Sequence, residues 1–471
     1  MPARVLVIGA GISGLAAAVE LKSRGVDVRV LEASDRAGGP IFTEYHDGFT
    51  IDAGPDSFLS TKPGGLWFAD RLGIVDQIVS TRPDGGGTFI VHDSQMQPLP
   101  EGITMLVPTQ FRQILESPLL DLKGKLRLLA DYFIPARSGD DDESVANFMR
   151  RRVGQQAFER LADPLLSGIF AGDAEKLSIL STFPRLREAE RRHGGLIRAG
   201  LAARRSAANS PQPAGRHTPF VSIQGGLGSL IRAAIQHIGS QQVIFNCPVE
   251  TIDAIHGGYR VTVRSGNSFE ADGIVIATPA YAAAMLLAGL APSASAQLAT
   301  IPHVSSATVS MAFNESDISV VGGGRGFVVP RVEGFDLTAA TWSSRKFAGR
   351  APAGKVLLRG FVGRAGNEGP AFLPDDQLIE VVRRDLAAIT GISAEPLFAR
   401  IYRSHNGMPQ YHVGHNKLVQ EIETLVAWID GLSLVGAAYR GVGIPDCVAY
   451  ATGSAARLSM QFSVAQKIVA S

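Results

Sequence analysis

An unbroken apolar run, Val5 to Ile8, comes first and reads as a strand buried on both faces. It stops at a glycine turn, Gly9, Gly11 and Gly14. Apolar and small residues then predict a helix from about Ser13 to Ser23. A second apolar strand, Val26 to Leu31, ends in the acid Glu32. Between about residues 108 and 203 the apolar spacing becomes three and four, which predicts helices. Leu119, Leu122, Leu126, Leu129 and Phe133 make one expected buried stripe; Val145, Phe148, Met149 and Val153 make another. Asp140 to Ser144 reads as a loop capping the next helix, with Asp141 and Asp142 as solvated charges. Ser206 to Thr218 is a polar, proline-containing connection.

Beyond it the pattern predicts a helix at about 229–238 and strands at Val243–Phe245, Tyr259–Arg264, Ser268–Ala271 and Gly273–Ala277. The last, inside DGIVIATP, reads as a parallel strand returning to the first sheet. Further strand patterns cover Ala307–Phe313, Gly326–Val329 and Lys355–Val362, and an amphipathic helix covers 375–390. Leu432 to Leu458 reads as strand, glycine turn and helix. The expected fold is α/β: a discontinuous Rossmann-like dinucleotide domain, a mixed-sheet substrate domain and a helical domain. The expected division assigns 1–85, 204–280 and 395–471 to the first, 86–107 and 281–394 to the second, and 108–203 to the third.

Composition narrows the function classes. The chain has 471 residues, 45% hydrophobic and 19% charged, enough for more than one core. A net charge of +1 gives no global pull toward nucleic acid or a membrane. Cys247 and Cys447 are too few and too far apart for a disulfide framework. No run is long and apolar enough to span a membrane. The first strand follows Met1-Pro2-Ala3 directly, so no leader is expected and a cytoplasmic setting is. His412 and His415 have no carboxylate or cysteine at ligand spacing; they read as loop residues, and no metal is expected.

The first unit carries the chemistry. Strand, G-x-G-x-x-G, helix, strand and an acid about 20 positions on are in register for dinucleotide binding. Gly9 makes the turn, Gly11 admits a pyrophosphate, and Gly14 lets helix and strand pack. The helix N-terminus offers free N–H groups to phosphate, and Glu32 can accept from ribose hydroxyls. A solvated strand-end acid is the plainer reading of Glu32 taken alone. FAD is expected over NAD. The unit opens the chain, a glycine-bearing arm (Ala33 to Gly39) follows the acid, and no second G-x-G-x-x-G occurs downstream. Gly225-Gly226-Leu227-Gly228 comes nearest but lacks the acidic partner. At the other end, Leu434 to Cys447 reads as strand, glycine turn and a helix starting near Pro445, whose dipole could face a flavin.

This arrangement, with Gly54-Pro55-Asp56-Ser57, resembles the flavin amine oxidases, phytoene desaturases and porphyrinogen oxidases. YRGVGIPDC (Tyr439 to Cys447), DPLLSGIFAGD (Asp163 to Asp173), Gly54 to Leu59 and Met408-Pro409-Gln410-Tyr411 narrow the resemblance to the porphyrinogen oxidases over essentially the whole chain. The resemblance implies non-covalent FAD. It also implies six-electron oxidation of a porphyrinogen, with molecular oxygen as acceptor and hydrogen peroxide as product. With the first unit it implies cofactor contacts at Gly9, Ala10, Gly11, Ile12, Ser13, Gly14, Glu32, Ala33, Gly39, Pro40, Gly54, Pro55, Asp56, Ser57, Val249, Val442, Gly443 and Ile444. It implies a substrate cavity walled by Gly168, Val328 and Phe361, although plain strand core is an equal reading of the last two. No catalytic side chain is expected, since the flavin does the chemistry.

Within that family the wording is closer to the bacterial coproporphyrinogen III type than to the mitochondrial protoporphyrinogen type. Val107-Pro108-Thr109 and Arg150 to Gly154 match the former. Lys62 falls where that branch has a lysine suggested to meet propionates, and Thr88 where mitochondrial enzymes carry an arginine. Two positions depart: Pro40 stands where amine oxidases have arginine, and Ser404 where the bacterial branch often has tryptophan. Residues 185–216 hold eight arginines and two glutamates. A solvated face, an anionic membrane or haem-pathway partner, and propionate recognition are all open readings of that charge.

Overall fold

The computed structural model describes residues 2–100, 103–104, 107–108, 116–209, 217–318 and 324–470. The opening strand, Arg4–Ile8, is buried from Val5 onward because it is central to a parallel sheet. The order is Val243–Ile244, Asp27–Leu31, Arg4–Ile8, Gly273–Ile276, Leu432–Leu434, so three distant stretches of chain build one sheet. Alternation along the first strand sends Val5 and Val7 to one core and Leu6 and Ile8 to the other. The first core packs the sheet against the helix Ile12–Ser23 and the C-terminal helix Ile444–Ala470. The second packs it against Ala280–Leu287 and His415–Ala427.

A seven-stranded mixed sheet lies beside it. Its order is Phe398–Pro409, His303–Asn314, Lys355–Val362, Leu337–Trp342, Gly326–Val328, Thr88–His92, Gln95–Pro98. Met311, Val356, Leu358 and Val362 turn one face to the helix Asp375–Thr390. On the other face Thr308, Phe361, Ala339 and Val328 stand in one cross-strand row.

Two expectations are corrected. Residues 398–409 are not part of the dinucleotide domain; they pair along His303–Asn314 as an edge strand of the second sheet. Its arginines, histidine and serine hide the strand, because an edge strand need not be apolar on either face. The stripe from Leu119 to Phe133 is not buried as one. Leu122, Leu126 and Phe133 are 74%, 59% and 79% exposed, while Leu119, Leu120 and Leu128 are buried. Asp121 caps the helix Leu122–Leu129 through Gly124 N–H. Gly124 then packs tightly against Gln156, so the helix buries its Gly124–Leu128 side.

The helical region is held by buried ion pairs as well as apolar contacts. Arg152 pairs with Asp131 at 2.5 Å, and Glu190 takes Arg151 and Arg187. Arg191 and Arg192 pair with Asp140 and Glu188. Within 185–216, Arg187, Arg191 and Arg192 are thus ion-paired; Arg216 lies outside the described residues, as do Thr109 and the middle of the 206–218 connection. Asp142 is not merely solvated, since it accepts from Gly414 N–H at 2.9 Å.

Candidate active site

Gly9 adopts φ +102, and a side chain there would meet Ala277 O at 3.0 Å. A Cβ on Gly14 would lie 2.0 Å from Gly9 O. Gly11 differs: its φ is −67 and a Cβ would meet nothing within 4 Å. The helix it opens has no side-chain cap and no acid in its first turn. Its orphan N–H groups thus face open space beside a residue kept small for no reason internal to the protein, which suits a pyrophosphate. Ala10, Ile12 and Ser13 complete this turn. Glu32 braces it, accepting from Ala10 N–H at 2.7 Å and from Ser34 N–H and hydroxyl. A carboxylate has about four acceptor positions, so capacity remains for a ribose hydroxyl. Val249 lies just past Cys247, whose N–H bonds Glu32 O. Gly225 to Gly228 opens a helix already capped by Asp52 and Thr43, which leaves nothing there for phosphate.

The arm returns to the same place. Gly38 N–H bonds Ala10 O, and Ala33, Gly39 and Pro40 are exposed along it. A Cβ on Gly54 would lie 2.1 Å from Pro40 O, so the arm and the Gly54–Ser57 segment touch. Under that segment sits an ionic cluster. Asp56 accepts from Lys346 at 2.8 Å and from Ser57, with Arg359 at 3.5 Å. Arg359 also donates to Asp52 O and Gly54 O, each at 2.7 Å. Burial alone would push the Asp56 carboxyl up; the adjacent Lys346 and Arg359 outweigh it and hold it well below the usual range. Asp52, beside Arg350, is instead raised, with burial dominant.

The C-terminal turn arrives from the opposite side. Tyr411 hydroxyl donates to Ala437 O and accepts from Gly441 N–H, pinning both ends of the turn before Val442, Gly443 and Ile444. Its ring stacks on His415 at 4.0 Å. His415, expected in a loop, is the buried first residue of a helix, and burial pulls its pKa down to about 4. Pro445 O packs against Gly64, joining this turn to the helix Pro63–Arg71.

Lys62, just before that helix, pairs with Asp446 in the first turn of the C-terminal helix at 2.6 Å. It is thus not an unpartnered cation, a contact the sequence does not announce. Its side chain is 38% exposed, so the pair is worth at most about 1 kcal/mol. Lys62→Ala is expected to leave flavin content unchanged and raise KM for a carboxylated substrate a few-fold; an unchanged KM removes Lys62 from substrate contact.

The cross-strand row supplies a wall. Thr308 donates to Ala53 O at 2.9 Å, tying one end to the Gly54 segment. Phe361, Ala339 and Val328 continue outward, all half-buried, and Arg359 lies over the Phe361 ring at 4.6 Å. Gly168 is exposed on the helix Asp163–Phe170, and a Cβ there would meet nothing within 4 Å. Thr88 begins a strand opposite Gly326, and Ser404 pairs opposite Ser306. Sequence reasoning missed the roles of Lys346, Arg359 and Tyr411. The signals were an arginine inside the apolar strand VLLRGFV and, for Tyr411, its place in the Met408–Tyr411 motif. Among the described residues, one group has metal-ligand spacing: His92, Asp93 and Glu333. Arg160 lies 3.3 Å from His92 Nε2, and Glu333 lies 3.6 Å from its Nδ1.

The glycine turn stands at the carboxyl end of the central strand of a parallel sheet packed on both faces, the arrangement of a dinucleotide-binding domain. A family model for flavin-containing amine oxidoreductases matches residues 12–459. The coproporphyrinogen III oxidase of Bacillus subtilis (strain 168) is 35% identical, covering 94% of this chain and 95% of that protein. The chloroplastic protoporphyrinogen oxidase of Nicotiana tabacum is 30% identical over 94% and 83%. A solved structure from Exiguobacterium sp. 255-15 superposes with a TM-score of 0.87 at 31% identity, covering 98% and 99%. The chain belongs to the flavin-containing amine oxidoreductase family and is an FAD-dependent oxidoreductase.

Proposed function

We propose that this protein oxidises coproporphyrinogen III to coproporphyrin III. The observation that carries the reading is its full-length relationship to the Bacillus subtilis coproporphyrinogen III oxidase. The site agrees in character. A porphyrinogen is electron-rich and its aromatisation is downhill, so the protein has mainly to position a meso carbon and exclude water. The Phe361–Ala339–Val328 wall, roofed by the Gly168 helix, serves that role. The Gly9–Gly14 turn, Glu32 and the Gly54–Ser57 segment hold the cofactor, and Tyr411 keeps the Val442–Ile444 turn in place beside it. The redox chemistry is that of bound FAD, with molecular oxygen as acceptor and three hydrogen peroxide formed per porphyrin.

The FAD is non-covalent in this reading. Cys447 lies by the turn, but burial pushes its thiol up to about 12 and Sγ is directed to Gly441 O. A thiolate for flavin attachment is therefore disfavoured. Among the described residues no helix is long and apolar enough to cross a membrane.

Porphyrin fluorescence growth and oxygen uptake, measured with each porphyrinogen in one buffer, test the function. Three oxygen per porphyrin and a higher kcat/KM for coproporphyrinogen III are expected. A higher value for protoporphyrinogen IX replaces the substrate; no turnover of either removes the reading.

A further inference from the structure

The wall has a basic end. Arg331 follows Val328 by three residues and Arg364 follows Phe361 by three; these two strands flank the one that carries Ala339, both antiparallel to it, so both arginines leave the row in the same direction. Gly363, at φ +84, turns the second chain; a Cβ there would lie 2.8 Å from Ser305 O, so the turn is closely held. Arg331 donates to Ala365 O at 3.0 Å and to Gly172 O at 2.7 Å, and its Nε lies 3.5 Å from Asp163. Ala365 N–H bonds Ala171 O at 2.7 Å. Asp163 to Gly172 is the helix that carries Gly168 and the turn after it. The two arginines therefore sit where the roof helix is fastened to the end of the wall.

Arg364 is the anomaly. It is 5% exposed, and its Nε and Nη1 are buried without an acceptor. The charged groups around it are Arg331, Asp163 and Asp336. Both acids are engaged elsewhere, Asp163 with Arg331 and Asp336 with Arg384. Burial, with Arg331 close by, pulls the guanidinium down to about 10. A buried cation lacking a partner is strongly unfavourable, which makes it a candidate for completion by a ligand. The ligand must be an anion with oxygen acceptors, small enough to reach the end of an apolar wall on a longer body.

We infer that Arg364, seconded by Arg331, is a carboxylate site for a propionate that coproporphyrinogen carries and protoporphyrinogen has exchanged for a vinyl group. This rests on the porphyrinogen reading above and makes Arg364 a specificity residue. A vinyl in that place leaves the guanidinium as unpaired as in the free protein, so only the propionate-bearing substrate gains a contact there.

Arg364→Met keeps length and removes charge. Its kcat/KM for coproporphyrinogen III is expected to fall at least about tenfold, as for one partner of a buried charge pair, with protoporphyrinogen IX altered less than about twofold. Flavin content should hold, and the melting temperature of the ligand-free variant should stay or rise, because an uncompensated charge is gone. Arg364→Lys should recover part of the loss. Fluorescence titration with coproporphyrin III and protoporphyrin IX reads the same discrimination without turnover. A wild type that turns over neither porphyrinogen fails the function reading, while the titration still decides the site. Equal losses on both tetrapyrroles, no loss on either, or a lowered melting temperature overturn the assignment.

Discussion

Gly11→Val yields a folded protein that holds no flavin, whereas Gly14→Val fails to fold. The two glycines are three residues apart in one motif and are small for different reasons. At Gly14 a Cβ would lie 2.0 Å from Gly9 O, in backbone that cannot give way. At Gly11 φ is ordinary for any residue and a Cβ meets no protein atom within 4 Å. Valine there intrudes only on the space the first-turn N–H groups face, where the proposed pyrophosphate site lies. The wild type should be yellow and release its chromophore into the supernatant on acid precipitation. Gly11→Val should be colourless, with a far-ultraviolet circular dichroism spectrum like that of stripped wild type. A yellow Gly11→Val protein would place the cofactor elsewhere.

Asp56→Ala gives a folded but strongly destabilised protein. It removes the carboxylate that Lys346 and Arg359 share and strands both cations in a buried setting. Breaking a buried pair from one side costs about 3–5 kcal/mol. The pH dependence follows from the sign of the shift. The folded pKa lies below the unfolded value of about 3.9, so the contribution is complete above that value and is lost as pH falls through the folded one. The melting-temperature gap between variant and wild type, taken at equal flavin saturation, should be full at neutral pH and narrow below about pH 4. A gap that is absent at neutral pH would mean the cations have found other partners.

The edge strand and the displaced leucine stripe show where local pattern stops being informative. Phe398–Pro409 pairs on one side only, so little in its composition demands burial, and its place depends on His303–Asn314 nearly a hundred residues earlier. In Leu122–Leu129 the apolar spacing is that of a helix, but the buried side follows from Gly124 meeting Gln156. Periodicity determines that a helix forms; the partner surface determines which face is hidden.

The first β-α-β unit is legible from sequence because its information is local. Apolar run, three glycines, helix and Glu32 act on one another within about 30 residues, and each residue type answers a backbone or ligand requirement stated nearby. The return strand Gly273–Ile276 and the helix Asp375–Thr390 are legible for the same reason, through burial pattern and period. Tertiary structure alone decides what the charged residues do. Lys62 meets Asp446, Asp56 meets Lys346 and Arg359, and Arg364 meets no acid, across separations that spacing cannot encode. An ion pair forms wherever the packed apolar framework brings two charges together. The sequence by itself therefore determines the framework and the cofactor turn, and the assembled structure determines which charges are satisfied and which is left for a ligand.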